Sequence, residues 1–148
     1  MKRYSIFIVI LFFYNISLAQ SNTSLDKGLR ASMEELKDFI SLPNDALVLD
    51  DMNKNINWLE NKFKERNFDT KIIATNGIPI FFAELKGQNK DAPTLLIYMH
   101  FDGQSVDPAK WDQKDPYKVV LKEKNGDQWQ DLNWDEIDGK IDPEWRLF

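Results

Sequence analysis

The chain has 148 residues, 43% of them hydrophobic and 13% aromatic, and its formal net charge is −5 at pH 7. This length can form one domain with a hydrophobic core, and the apolar content favours a globular protein over a disordered one. The absence of cysteine excludes disulfides, thiolate metal sites and a cysteine nucleophile. Acidic and basic residues are interspersed without a basic stripe, so nucleic acid is not expected as a partner.

Residues 1–19 have the three-part pattern of a signal peptide. A basic dipeptide at 2–3 is followed by an apolar run at 6–14, and Ser17–Ala19 supply the small residues that a signal peptidase reads. We therefore predict cleavage after Ala19 and an exported protein, periplasmic or extracellular. The apolar run is shorter than the ~20 residues that span a bilayer, so no stable membrane span is expected after cleavage.

Two amphipathic helices are predicted next. Apolar residues spaced by three or four from Leu25 to Ile40 form the stripe of the first helix, and Pro43 marks its end. The second helix begins after Asp50-Asp51, which suit a helix start both as caps and as charges facing the helix dipole. Its apolar stripe ends near Asn67.

The apolar period then changes to one that is typical of strands. Segments 71–74 and 78–85 are rich in β-branched and aromatic residues, and Asn76-Gly77 lies between them, which predicts a hairpin. The run Pro93–Met99 suits a central strand that is buried on both faces. Two helices followed by such strands predict a layered α/β domain.

The carboxyl-terminal part is rich in tryptophan and carboxylates. A second hairpin is predicted over 118–134, with Asn125-Gly126 at its turn. Trp129, Trp134 and Trp145 could form a platform for carbohydrate, and the nearby carboxylates could bind calcium, but the spacing of the standard calcium loop is missing. Packing of these aromatic side chains on the domain is the preferred interpretation.

His100 is the only histidine, and it directly follows the predicted central strand. Open α/β sheets place their ligand crevices at this end of a strand. Asp102 can reach the ring of His100, because residues i and i+2 of an extended segment point to the same side. A metal-binding imidazole usually has a carboxylate or carbonyl on its other nitrogen. On this tripeptide alone, a histidine hydrogen-bonded at a strand end is the better interpretation, since short motifs often arise by chance.

The surrounding residues add a resemblance. The run His100–Val106, followed by Trp111 and Asp115-Pro116-Tyr117, resembles a zinc-dependent peptidase and amidohydrolase family. This family includes glutamate carboxypeptidase, aminoacylase, acetylornithine deacetylase, succinyl-diaminopimelate desuccinylase and the carnosine-type dipeptidases. The apolar-Pro turn Ile40–Pro43 resembles the same family. The likeness implies that residues 20–148 are the amino-terminal portion of a catalytic domain with a mixed, partly parallel sheet and flanking helices, incomplete as given.

The resemblance implies roles for individual residues. His100 would be a ligand of one of two zinc ions, with cobalt or manganese as substitutes, and Asp102 would be the catalytic-site carboxylate that orients it. Trp111 and Asp115–Tyr117 would shape the neighbouring loop. The implied reaction is hydrolysis of a peptide bond (dipeptide or C-terminal) or of an N-acyl amino acid by a zinc-activated water. The long hairpin at 118–134 favours dipeptides. A homodimer could form in the full-length protein.

Several elements of the family pattern are not matched. The bridging aspartate, the Glu-Glu pair with the general base, a further acidic ligand and a distant histidine have no counterpart in this chain. Glu34-Glu35 lies in the first helix and is interpreted as a solvated face. One histidine cannot make a zinc site, so the 148-residue chain alone is predicted to be inactive. Two hypotheses follow: a truncated exported metallopeptidase, or a complete small secreted non-catalytic binding module on the same scaffold.

Overall fold

The computed structural model describes residues 21–89, 91–139 and 141–148, with side chains described from Lys27 onward. The predicted signal peptide and its cleavage site lie outside these residues. Within them, no helix has the length and apolar character needed to cross a membrane. The elements in chain order are α1 (Ser21–Ile40), α2 (Leu49–Glu65), β1 (Asp69–Ile73), β2 (Ile80–Glu84), a 3-10 helix (Pro108–Lys110), β3 (Leu121–Asn125), β4 (Gln128–Asp131), a second 3-10 helix (Trp134–Asp138) and β5 (Arg146–Leu147).

The described chain divides into two compact units. One consists of the residues up to Lys37 together with Val120–Phe148, and the other is Asp38–Val119. Helices and strands occur together, as predicted for an α/β protein. The strands pair antiparallel in two small sheets, one of two strands and one of three.

Helix α2 provides the core of the unit Asp38–Val119. Met52 and Ile56 are buried on one face of this helix, and Trp58 stacks on Phe39 with ring centroids 4.8 Å apart. The predicted helix is confirmed, but its cap is not the predicted one. The N-cap is Val48, so Asp50-Asp51 lie in the first turn, where their charges favour the helix dipole without capping it.

The first predicted hairpin is confirmed. Strands β1 and β2 pair from Asp69↔Glu84 to Ile73↔Ile80, and the connecting loop includes Asn76-Gly77. Phe81 of β2 packs edge-on against Phe63 of α2, with ring centroids 5.3 Å apart. One face of the hairpin therefore packs on the helix.

The predicted central strand is wrong. Pro93–Met99 forms no strand, and none of the described residues pairs with its backbone. Leu95, Leu96 and Tyr98 are 82%, 81% and 87% exposed. An apolar run predicts burial only when other elements cover it. In this unit the two-stranded hairpin packs on α2, and no described strand extends it to the 93–99 segment.

The second unit contains the second predicted hairpin. Strand β3 lies between β4 and β5, and the turn between β3 and β4 includes Gly126 at φ 61°, a left-handed conformation that glycine adopts without strain. Among the described side chains of this unit, the buried apolar residues are Leu121 and Ile137. Lys122 is also buried, with its Nζ atom 4.9 Å from the centre of the Phe148 ring and 3.5 Å from the Asp131 carboxylate.

Two tryptophans of this unit, Trp129 and Trp134, make intramolecular contacts. The Trp134 indole N–H donates to the Glu34 carboxylate, and Lys37 lies 4.1 Å above the same ring. Trp129 packs edge-on against Phe148, with centroids 5.1 Å apart. These contacts agree with the packing interpretation. Glu34 itself lies on an exposed face of α1, as predicted, and its side chain is 49% exposed.

Candidate functional site

The structure brings His100 and Asp102 together as predicted. The Nδ1 atom of His100 lies 3.3 Å from Oδ1 of Asp102. Both side chains are open to solvent, at 72% and 50% exposure. Protonation of Nδ1 allows it to donate to the carboxylate, which leaves the Nε2 lone pair available to a metal ion. This arrangement of one imidazole and its orienting carboxylate has the chemistry of one corner of a metal site.

The turn after His100 is fixed by the loop that precedes α2. The Gly103 N–H donates to the Asn44 carbonyl at 2.7 Å, and the Ala46 N–H donates to the Gly103 carbonyl at 3.1 Å. This pattern forms an isolated parallel bridge between Asp45 and Gly103. The loop and the turn are far apart in sequence and therefore constrain each other only in the folded chain.

Gly103 is needed for this close approach. A Cβ atom at this position would lie 2.8 Å from Oδ1, 2.9 Å from Nδ2 and 3.0 Å from Cγ of Asn44. The Asn44 amide cannot easily move aside, because its Nδ2 atom donates to the Phe101 carbonyl at 3.1 Å. The backbone at Gly103 is outside the left-handed region, so space and not turn conformation explains the glycine.

The loop is held from two further directions. The Asp45 carboxylate accepts hydrogen bonds from the Ser105 hydroxyl and from the Leu47 N–H at 2.8 Å. These two bonds, the one from Ser105 first, hold the pKa of the Asp45 carboxyl below its usual value of 3.8. On the other side, Asn55, which is 1% exposed, donates through Nδ2 to the Pro43 carbonyl at 2.7 Å and to the Asp51 carbonyl at 2.9 Å.

The predicted structural residues of the 111–117 loop form local turns. Trp111 follows the first 3-10 helix and is half exposed. The Asp115 carboxylate accepts from the Tyr117 N–H at 3.0 Å, and its carbonyl accepts from the Lys118 N–H at 3.1 Å. These bonds agree with a turn-forming role for Asp115.

The metal-ligating groups of the site are few. Across residues 21–89, 91–139 and 141–148, no three side chains of His, Cys, Asp or Glu come together in a group that could hold a metal ion. His100 and Asp102 therefore fit one metal ligand and its orienting group, and no more of a zinc site than that.

Sequence reasoning missed the residues that hold this corner in place, namely Asn44, Asp45, Asn55 and Ser105. Asn55 had a readable signal, because it is a polar residue on the apolar face that α2 forms with Met52 and Ile56. The other three form bonds between loops, which no local spacing indicates. Comparison of the chain with protein-family models, curated proteins and solved structures finds no match.

Proposed function

We propose that His100 is a zinc ligand in an exported metallopeptidase or amidohydrolase and that Asp102 orients its imidazole. The observation that carries this proposal is the 3.3 Å approach of Asp102 to Nδ1 on a ring that is otherwise open to solvent. A metal-binding histidine usually donates the N–H of its other ring nitrogen to a carboxylate, a backbone carbonyl or water.

The proposed reaction is hydrolysis of a peptide or N-acyl amino acid bond, with dipeptides as the preferred class. Zinc would lower the pKa of its bound water and polarise the scissile carbonyl. In this chain, His100 would donate the Nε2 lone pair, and Asp102 would hold the proton on Nδ1. The general base and the remaining ligands would be supplied from outside the described residues, within a layered catalytic domain that has a mixed sheet.

A metal titration tests the proposal on the chain as it exists. Zinc or cobalt added to the 15N-labelled protein should shift the His100 ring resonances in fast exchange, because one ligand gives weak binding. Asp102→Asn should weaken this binding by about 10- to 100-fold. Asp115→Asn, which changes another exposed turn aspartate, is the matched control and should leave it unchanged. His100→Gln lacks the ring, so its backbone resonances are compared with those of the unsubstituted chain. If metal shifts these resonances equally in both proteins, the proposal is contradicted.

A secreted binding module is the second candidate, and the exposed Leu95–Met99 segment favours it. An extended apolar segment whose backbone is not paired within the described residues can accept an extended peptide as a new strand. The same titration separates the two candidates. If the ring of His100 does not respond to metal, the module is favoured.

A further inference from the structure

Asp102 is flanked by two peptide groups, and Asn44 holds both of them. The peptide before Asp102 ends in the Phe101 carbonyl, which accepts from Nδ2 of Asn44 at 3.1 Å. The peptide after it includes the Gly103 N–H, which donates to the backbone carbonyl of Asn44 at 2.7 Å. The orientation of these two peptide planes fixes φ and ψ of Asp102 and hence the direction of its Cα–Cβ bond. One residue of a distant loop therefore sets the direction in which the Asp102 side chain leaves the backbone.

Asn44 can fix the backbone at Asp102 only if the loop that contains Asn44 is itself held in place. Asn55 is buried and binds the carbonyl of Pro43, the residue directly before Asn44, at 2.7 Å. On the other side, the Asp45 carbonyl accepts from the Val48 N–H at 2.9 Å, and the Asp45 carboxylate accepts from Ser105. The residue before Asn44 is therefore bonded to α2, and the residue after Asn44 is bonded to Ser105.

We propose that Asn44 is a positioning residue that aims the Asp102 carboxylate at Nδ1 of His100 and so selects the imidazole tautomer with a free Nε2 atom. The tautomer of a histidine is set by the hydrogen bond that its other nitrogen makes. Only the last step, the use of Nε2 by a metal, rests on the proposed function. Selection of the tautomer is a property of the metal-free chain.

The chemistry of the site explains why asparagine is required at position 44. The amide must donate to the Phe101 carbonyl and lie directly against Gly103, where no side chain fits between them. Aspartate has the same shape but no donor, and it would place a second oxygen against the carbonyl. Alanine would leave the carbonyl without its partner. The variants Asn44→Asp and Asn44→Ala therefore both remove the side-chain bond to the Phe101 carbonyl.

The test measures the His100 tautomer by long-range 1H–15N correlation spectra of the neutral imidazole. The unsubstituted chain should show mainly the Nδ1–H tautomer. Asn44→Asp and Asn44→Ala should lower the ratio of Nδ1–H to Nε2–H by about fivefold, which corresponds to one hydrogen bond of about 1 kcal/mol. Asn57→Ala, at an exposed position of α2, is the matched control and should leave the ratio unchanged. A preserved ratio in both Asn44 variants would overturn the inference.

A second measurement needs no variant that might fail to fold. In the unsubstituted chain, the Gly103 amide should be protected from hydrogen exchange, because its N–H is bonded to Asn44. Exchange at the rate of an unstructured chain would overturn the inference. The experiments distinguish a failure of this inference from a failure of the proposed function. If Asp102→Asn changes the tautomer but the Asn44 variants do not, only the positioning role fails. If the tautomer responds as expected but metal leaves the ring unchanged, only the zinc proposal fails.

Discussion

The close approach of Gly103 to Asn44 predicts a non-additive pair of substitutions. Gly103→Ala would place Cβ 2.8 to 3.0 Å from the three terminal atoms of the Asn44 side chain, so this amide must move. The strain of overpacking costs about 1–3 kcal/mol, and loss of the bond to the Phe101 carbonyl adds about 1 kcal/mol. The smaller entropy of the unfolded alanine chain offsets about 0.4–1 kcal/mol. We expect a net loss of about 2 kcal/mol in the free energy of unfolding.

The same substitution should cost much less when Asn44 is already alanine. Asn44→Ala alone should lose about 1 kcal/mol, since it removes one partly buried hydrogen bond. It also removes all three atoms that the new Cβ would meet. The double variant should therefore be little less stable than Asn44→Ala, with an interaction energy of about 1–2 kcal/mol in the double-mutant cycle.

Urea unfolding followed by tryptophan fluorescence measures the four free energies of the cycle. Gly77→Ala is the matched control, because a Cβ there meets nothing within 4 Å. It should be nearly neutral, and its effect should add to that of Asn44→Ala. If the Gly103 and Asn44 effects add within about 0.5 kcal/mol, the proposed steric and hydrogen-bond coupling is refuted.

Three further predictions concern backbone strain, acid stability and metal content. Asn67 has φ 62°, a left-handed conformation that glycine adopts more easily than alanine. In the same urea assay, Asn67→Gly should therefore stabilise the chain slightly, and Asn67→Ala should destabilise it by about 1 kcal/mol. Equal stability of the two variants would contradict backbone strain at this position. The folded-state pKa of Asp45 is held below the unfolded value, chiefly by Ser105, so the stabilisation is present at neutral pH and is lost as the pH falls through the lowered pKa. Asp45→Asn should therefore reduce stability at pH 7 and flatten its dependence on pH below about 4, and an unchanged acid profile would argue against the Ser105 bond. The purified 148-residue chain should contain no stoichiometric zinc by metal analysis and should not hydrolyse dipeptides; either activity or bound zinc would overturn the prediction that one histidine is insufficient.

Local periodicity was enough to predict much of the fold. Helices α1 and α2 and both hairpins follow from the spacing of apolar residues and from the turn residues between strands. The cap of α2 was missed because Val48 begins the helix without a side-chain hydrogen bond, so no capping residue marks the start. The exposure of Pro93–Met99 could not be predicted from its composition, because burial depends on which other segments cover an apolar run.

For the candidate site, too, the sequence predicted what depends on local spacing and missed the contacts between distant segments. His100 and Asp102 are two residues apart, and the alternation of side chains in an extended segment predicts that both point to the same side. The bond that Asn44 donates to Phe101 and the bond that Asp45 accepts from Ser105 connect positions about sixty residues apart in sequence. Such pairings follow from the fold and not from any local pattern.

The structure changes the physical reason for expecting a metal corner at His100. From the sequence, a buried strand was expected to place His100 at the edge of a sheet. In the structure that segment is exposed, whereas the turn directly after His100 forms three hydrogen bonds with Asn44 and Ala46. The geometry of the His100–Asp102 pair is therefore set by the loop before α2 and does not require the preceding strand to be paired. A partner strand that paired with Leu95–Met99 would order this segment as well, but the geometry of the His100–Asp102 pair would not depend on it.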